Sequence, residues 1–320
     1  MTQGAAPDPI LGAVASCVVD VCVCTFRRPQ LAQTLHSLSR LTLAPDVSIR
    51  VIIADNDEEP SAIETVETAA RETGLRITYL HAPARNISVA RNACLDAATA
   101  PLVAFIDDDE CAAPQWLSAL LASMIGGDYA AVLGPVQAIY SPDCPSWIRN
   151  GDFHSTRPVW VEGKIVTGYT CNVLFSRTHP AFQSLRFRLD LGQTGGEDTA
   201  FFAVAVRAGA RLGFAAGAIV TEQVTAARAR FRWLISRKFR SGQTHGRLLL
   251  EAHGSGLKVR IKHSLLAAAK AIFCFAACVP KVYRPDRLAF WALRGAMHVG
   301  TLSCLLGKRE IALYGQGETP

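Results

Sequence analysis

The sequence predicts an α/β fold, a mostly parallel sheet flanked by helices on both faces, followed by a basic helical extension. Three observations carry that expectation: short β-branched apolar runs alternate with helical periodicity, several runs end abruptly in polar clusters, and the charge reverses sign along the chain. With 320 residues, half of them hydrophobic, the chain can bury one large core and still carry an appended region.

The elements follow in order. Val18 to Thr25 is a β-branched run, and Phe26-Arg27-Arg28-Pro29 interrupts it before Leu31, Leu35 and Leu38 set a helical spacing. The run 49–54 reads as a second strand ending in Asp55-Asn56-Asp57-Glu58-Glu59-Pro60, with a helix over 61–73 closed by Gly74. A strand over 75–80, a helix over 88–98 and a strand over 102–106 come next, the last ending in Asp107-Asp108-Asp109-Glu110. An apolar helix runs from Pro114-Gln115-Trp116 to Met124, and 130–136 and 168–176 are further strand candidates. Gly195-Gly196-Glu197-Asp198 opens a helix ending at Arg207, and 218–224 reads as the last strand of the core. Residues 1–15 read as a disordered tail, 16–225 as the α/β domain and 226–320 as a helical region.

Residues 1–222 carry a balance of −7, whereas residues 223–320 carry +13. An anionic partner for the C-terminal third follows, either nucleic acid or the inner leaflet of a membrane. Phe231, Leu234, Ile235 and Phe239 share a helical face among Arg228, Arg232, Arg237, Lys238 and Arg240, and 264–279 is apolar except for Lys270. That interleaving fits a lipid interface better than nucleic acid; the run at 264–279, shorter than the ~18–20 residues a span requires, reads as lying in the interface, the alternative being a marginal span with Lys270 snorkelling and Lys281 and Arg284 flanking it. The N-terminus lacks a basic-then-apolar signal, and the ten cysteines show no zinc-like spacing. The expectation is a peripheral or monotopic protein with reduced thiols at the cytoplasmic face of the inner membrane.

In parallel sheets, ligands sit at the carboxyl ends of the strands. Here those ends carry Thr25-Phe26-Arg27-Arg28, Asp55-Asn56-Asp57 and Asp107-Asp108-Asp109. Adjacent carboxylates repel unless a cation compensates them, so 107–109 reads as a site for Mg²⁺ or Mn²⁺ with a diphosphate, the alternative being an acidic turn that caps the following helix. No glycine lies between Gly12 and Gly74, which removes the phosphate loops of dinucleotide-binding and P-loop proteins. Glu197-Asp198 behind paired glycines reads as a proton acceptor for an attacking hydroxyl, or as an acidic helix start complementing the dipole.

Taken together, these residues resemble the family-two inverting glycosyltransferases of GT-A fold. The resemblance rests on Thr25-Phe26-Arg27-Arg28-Pro29, Ile53-Ala54-Asp55-Asn56, Asn86-Ile87-Ser88-Val89-Ala90-Arg91-Asn92, Phe105-Ile106-Asp107-Asp108-Asp109-Glu110 and Gly196-Glu197-Asp198, in the family's order. With the basic tail, it is similar to bacterial exopolysaccharide transferases of the succinoglycan type. The resemblance implies that Thr25, Phe26 and Arg28 border the nucleotide, Asp55 accepts from uracil, Arg91 faces base or diphosphate, and Asp107 reaches ribose or metal. It also implies that Asp109 ligates the metal and that Asp198 is the general base, with Glu197 as its alternative. Asn172 matches a region that meets donor sugar or acceptor. Glu222 stands where the family often places a metal-binding histidine. Asp55 as a turn cap, Arg91 as a partner of Asp96 or a surface carboxylate, and Asn172 as a turn residue are the competing readings. The implied donor is a UDP-sugar with Mn²⁺ or Mg²⁺, and the implied acceptor is a saccharide, carried on a polyprenyl diphosphate if the tail docks at a membrane. The Q-x-x-R-W signature of processive synthases is missing, which implies one sugar per encounter. A non-catalytic scaffold on the same fold is the alternative; it predicts a lost key carboxylate, and none is lost. A glycosyltransferase using another nucleotide is the other.

Overall fold

A computed structural model describes residues 17–311, so the expected tail at 1–15 lies outside the described residues. The chain runs β1 (Cys17–Thr25), α1 (Leu31–Ser39), β2 (Val47–Asp55), α2 (Ile63–Thr73), β3 (Ile77–His81), α3 (Ile87–Ala97), β4 (Leu102–Ile106), β5 (Glu110–Ala112), α4 (Trp116–Gly127) and β6 (Ala131–Leu133). It continues through β7 (Val136–Tyr140), α5 (Ser146–Gly151), β8 (Trp160–Val161), β9 (Lys164–Ile165), β10 (Asn172–Ser176), α6 (Glu197–Arg207), β11 (Leu212–Phe214) and β12 (Val220–Val224). Three long helices follow: α7 (Phe231–His253), α8 (Leu257–Ala276) and α9 (Pro285–Leu305).

Seven strands form the main sheet in the order β11-β6-β10-β4-β1-β2-β3. β1 is parallel to both β2 and β4, whereas β10 runs antiparallel to β4 and β6. The period of two in β1 sorts its side chains between the faces. Val19, Val21 and Val23 pack under α1 and α4 with Leu35, Leu38, Trp116 and Leu117, while Cys22 faces Ala90 and Cys94 of α3 and Phe201 and Phe202 of α6. Asp20 lies in the same row as Cys22 and is fully buried. Arg50 sits directly opposite it in β2 and donates from Nε and Nη2 at 2.8 Å to its two oxygens, and the Thr99 and Ala100 amides add bonds of 2.7 and 2.8 Å. The pairing removes the cost of an isolated buried charge.

Two expected strands fall differently. The run at 130–136 divides at Gly134-Pro135 into β6 of the main sheet and β7 of a smaller sheet, because Pro135 has no amide to continue a ladder. The strand expected at 218–224 is β12, which joins β5 and β7 in that smaller sheet and not the core sheet. Its placement brings Glu222 opposite Glu110, beside the end of β4.

The C-terminal helices form a layered stack. Gly242 and Gly300 bring α7 and α9 together backbone to backbone: a Cβ at Gly242 would overlap the Met297 carbonyl, and one at Gly300 would overlap that of Phe239. On its other side α7 lies against the Gly195-Gly196 turn, where Thr244 crowds Gly196 and Arg247 Nη2 donates to the Gly195 carbonyl at 3.4 Å. α8 packs outside α9, with Phe275 on Gly295 and the Phe273 and Trp291 rings 5.7 Å apart. The apolar stripe of α7 expected to meet lipid is instead largely protein-facing, since Leu234 is fully buried with Ile148 and Leu293. The apolar run expected at 264–279 belongs to a longer helix; Leu257–Lys281 is the one stretch among the described residues long and apolar enough to cross a membrane, by length and composition only.

Substituting Gly242 by valine is expected to lower stability by about 1–3 kcal/mol through overpacking at the α7–α9 seam. Denaturant titration checks this, and an unchanged midpoint would show the seam to be loose.

Candidate active site

The end of β4 delivers a run of four acidic residues into a confined space. Asp108 and Glu110 are buried, Asp107 is partly buried, and the Asp107 amide donates to Glu110 Oε2 at 3.0 Å. Burial, reinforced by Asp109 and Glu222, pushes the Asp107 carboxyl up to about 7 against the pull of Arg91. Burial and Asp109 push Asp108 up to about 7 as well, with Thr25 and Arg28 acting the other way. Glu110 is pushed well above the usual carboxylate range, first by burial and then by Asp107. So many carboxyls in one place require positive charge.

Three arginines from distant segments supply it. Arg28, in the loop after β1, stands 4.0 Å from Asp108. Arg91 on α3 is buried, lies over the Phe187 ring and pairs with Glu197 at the start of α6. Arg228, just before α7, pairs with Glu222 and reaches Asp109 at 3.3 Å. Trp233 lies beneath the Arg228 guanidinium at 5.9 Å and stacks on His154 at 5.3 Å. One ring nitrogen of His154 meets the Arg228 carbonyl at 3.0 Å and the other meets the Tyr140 hydroxyl at 3.2 Å. Nothing within the basic run marked Arg228 for this place; it became legible only when β12 and the start of α7 met β4.

The expected residues divide into those facing this space and those turned inward. Thr25 ends β1 as a buried residue, Phe26 and Arg28 follow it at the rim, and Arg27 lies over the Phe26 ring at 5.5 Å. Asp107, Asp109, Glu222 and Asp198 gather around the carboxylate cluster, as their mutual electrostatic influence on Asp107 records. Asp198 is half-buried, and its Oδ1 accepts from the Thr199 amide at 2.6 Å and hydroxyl at 3.2 Å. Glu197 is held by Arg91, the partner that replaces the expected Asp96 or surface carboxylate; Asp96 pairs with Arg186 instead.

Two of the expected ligand residues, Asp55 and Asn172, are turned inward. Asp55 is wholly enclosed, its oxygens accepting from the Ala62 amide at 2.8 Å, the Tyr79 hydroxyl at 2.9 Å and the Asp57 amide at 3.1 Å. It braces the β2–α2 loop, in keeping with its reading as a cap. Asn172 is likewise enclosed: it accepts from Trp116 Nε1 at 2.8 Å and donates to the carbonyls of Pro135 at 3.0 Å and Ala218 at 2.7 Å. It clasps α4, the β6–β7 break and the approach to β12, and both of its amide hydrogens are spent on these contacts.

Two groups of side chains bear on a divalent cation. Asp107, Glu110 and Cys171 bring one ligand atom each within 4.8 Å of one another. Burial pushes the Cys171 thiol well up, however, and a protonated soft sulfur is a poor ligand for Mg²⁺ or Mn²⁺. Asp109 and Glu222 fit better: they already share one cationic group, Arg228, and offer only oxygen.

Comparison with known proteins agrees with this geometry. The sequence profile described as Glycosyl transferase family 2 matches residues 20–179. Succinoglycan biosynthesis protein ExoM of Rhizobium meliloti (strain 1021) is 49% identical over 304 residues, which cover 94% of this chain and 96% of that protein. Mannosyltransferase PcManGT from Pyrobaculum calidifontis, in complex with GDP-Man and Mn²⁺, matches with a TM-score of 0.61 at 19% identity, covering 97% of this chain and 92% of that one. S. aureus TarS 1-349 in complex with UDP matches with a TM-score of 0.51 at 16% identity, covering 93% and 99%. The two solved structures share the fold.

The raised carboxyls give the site a pH dependence of definite sign. Asp107 and Asp108 titrate at about 7 folded against 3.8 in a free chain, so the stability they lend is complete below the unfolded value and is lost as pH rises through about 7. A divalent cation compensates the charged form. Mn²⁺ is therefore expected to raise the thermal midpoint more at about pH 8 than at about pH 6. Equal shifts at both pH values would show that these carboxyls do not meet the ion.

Proposed function

The chain belongs to glycosyl transferase family 2 and is a glycosyltransferase of GT-A fold; on that premise we propose that it moves one sugar at a time, with inversion, from a UDP-sugar to a saccharide acceptor carried on a lipid diphosphate. The observation that carries the reading is the carboxylate cluster at the β4 end, met by Arg28 at Asp108 and by Arg228 at Asp109, with Asp198 near enough to bear on the Asp107 carboxyl. The arginines supply the charge an anionic diphosphate calls for, and the half-buried aspartate supplies an acceptor for a hydroxyl proton. The name of the R. meliloti relative supports a place in exopolysaccharide synthesis, and the GDP-Man, Mn²⁺ and UDP of the solved neighbours support a nucleotide donor with a divalent cation.

The chemistry follows from these positions. Asp198 takes the proton of the acceptor hydroxyl as that oxygen bonds to the anomeric carbon, and the bond from that carbon to the diphosphate breaks on the opposite face, its electron pair leaving with the nucleoside diphosphate. Arg28 and Arg228 attract the diphosphate and oppose the charge that grows on it. Mn²⁺ or Mg²⁺ at Asp109 and Glu222, with Asp107 beside them, would supply further stabilisation of that charge. Glu197 is engaged by Arg91 and so holds the start of α6 in place, leaving the proton to Asp198. The basic C-terminal third suits work at the cytoplasmic face of the inner membrane, where a lipid-linked acceptor resides.

Calorimetric titration with UDP in the presence of Mn²⁺ tests the donor site. Wild type is expected to bind and Asp109→Ala to lose the metal-dependent part; binding of GDP in place of UDP would reassign the base, a point left open by the enclosure of Asp55. Asp198→Asn is expected to keep UDP binding while losing about 10²–10⁴-fold in turnover. A fully active Asp198→Asn would remove its assignment as base.

A further inference from the structure

The large apolar side chains left exposed in the C-terminal region gather on α8 and the turn that follows it. α8 buries Ala267, Ala271 and Cys274 toward α9 and turns Ile261, Leu265 and Ile272 outward at helical spacing, Leu265 and Ile272 being 67% and 69% exposed, and the exposed Val279 extends the row into the turn beyond its end. Protein covers one side of the helix and leaves the other bare. A stripe of this length, uncovered by the chain itself, marks a surface that meets something apolar.

The charges around it say what. Lys258 and Lys262 lie at the start of the helix and Lys281 and Arg284 beyond its end, while Lys270 sits midway. The nearest carboxylates are engaged, Asp286 with Arg284 and Arg287, and Glu310 with Arg247. Residues 257–311 hold ten Lys and Arg against two Asp and Glu. An apolar stripe framed by cations fits the headgroup zone of an anionic bilayer.

The stack decides how the helix meets that bilayer. By length and composition Leu257–Lys281 could span, but α8 is bound along its inner side to α9, which carries Arg287, Arg294 and His298, and α9 is seamed by Gly242 and Gly300 to α7 on the catalytic turn. A spanning α8 would pull those charges into hydrocarbon or tear the seam.

Resting on the membrane reading above, we propose that α8 lies flat in the interface of an anionic phospholipid bilayer, immersing the stripe Ile261, Leu265, Ile272 and Val279, with Lys258, Lys262, Lys281 and Arg284 on the lipid phosphates. The stripe of α7 takes no part.

Flotation of the full chain with phosphatidylcholine vesicles containing or lacking phosphatidylglycerol tests this. Wild type is expected to float with the anionic vesicles, and the double variant Leu265→Glu/Ile272→Glu to bind them about tenfold less or weaker, with UDP titration confirming that it is folded. A double variant that floats like wild type overturns the α8 surface while leaving membrane association standing; a wild type that does not float removes both. A stable wild-type dimer that the double substitution dissolves assigns the stripe to a second copy and overturns the proposal. Depth is read from Ile272→Trp with brominated lipids, beyond the signal of the five native tryptophans. Quenching strongest for bromines near the headgroups is expected, and quenching strongest at the bilayer centre would show a span.

Discussion

Crowded negative charge at the end of β4 is the constraint on which the rest of this molecule depends. Asp107, Asp108, Asp109 and Glu110 share a space with Glu222 and Asp198, and burial alone would drive their protons on and their function out. Arg28, Arg91 and Arg228 offset that charge, and each arrives from a different part of the chain. The electrostatic need of one strand end thereby ties the β1 loop, α3, α6 and the start of α7 into a single assembly. Three arginines do not cancel six carboxyls, so the site retains an unmet demand for positive charge.

Much of the core was legible because its signals are local. A strand buried on both faces reads as a β-branched run, as β1 and β4 do, and the break after each reads as polar residues. Helix α6 was placed from Gly196 to Arg207 because its start and stop carry their own chemistry. The family motifs then ordered the same pieces along the chain.

What escaped was decided by tertiary geometry. An aspartate at a strand end reads the same whether it faces a base or caps a loop, so Asp55 gave no sign that Ala62, Tyr79 and Asp57 would enclose it. Asn172 is occupied by partners that lie 37 to 56 residues away along the chain. An amphipathic stripe carries no label for its solvent, and that of α7 found protein. Helix α9 falls within the region read as helical, and Pro285 marks its first turn, but its bounds and its seat against α7 were set by the Gly242 and Gly300 contacts, which no local pattern announces.

The glycine seam between α7 and α9 has a mechanical consequence. Two helices joined through side chains can slide by changing rotamers, but two joined backbone to backbone have almost no compliance to shear. The C-terminal stack is therefore a stiff strut with its inner end on Gly195-Gly196, at the hinge of the turn that presents Asp198. A strut of this kind fixes height and tilt: whatever surface the outer end rests on, the Gly195-Gly196 turn and the start of α6 stand at one distance above it.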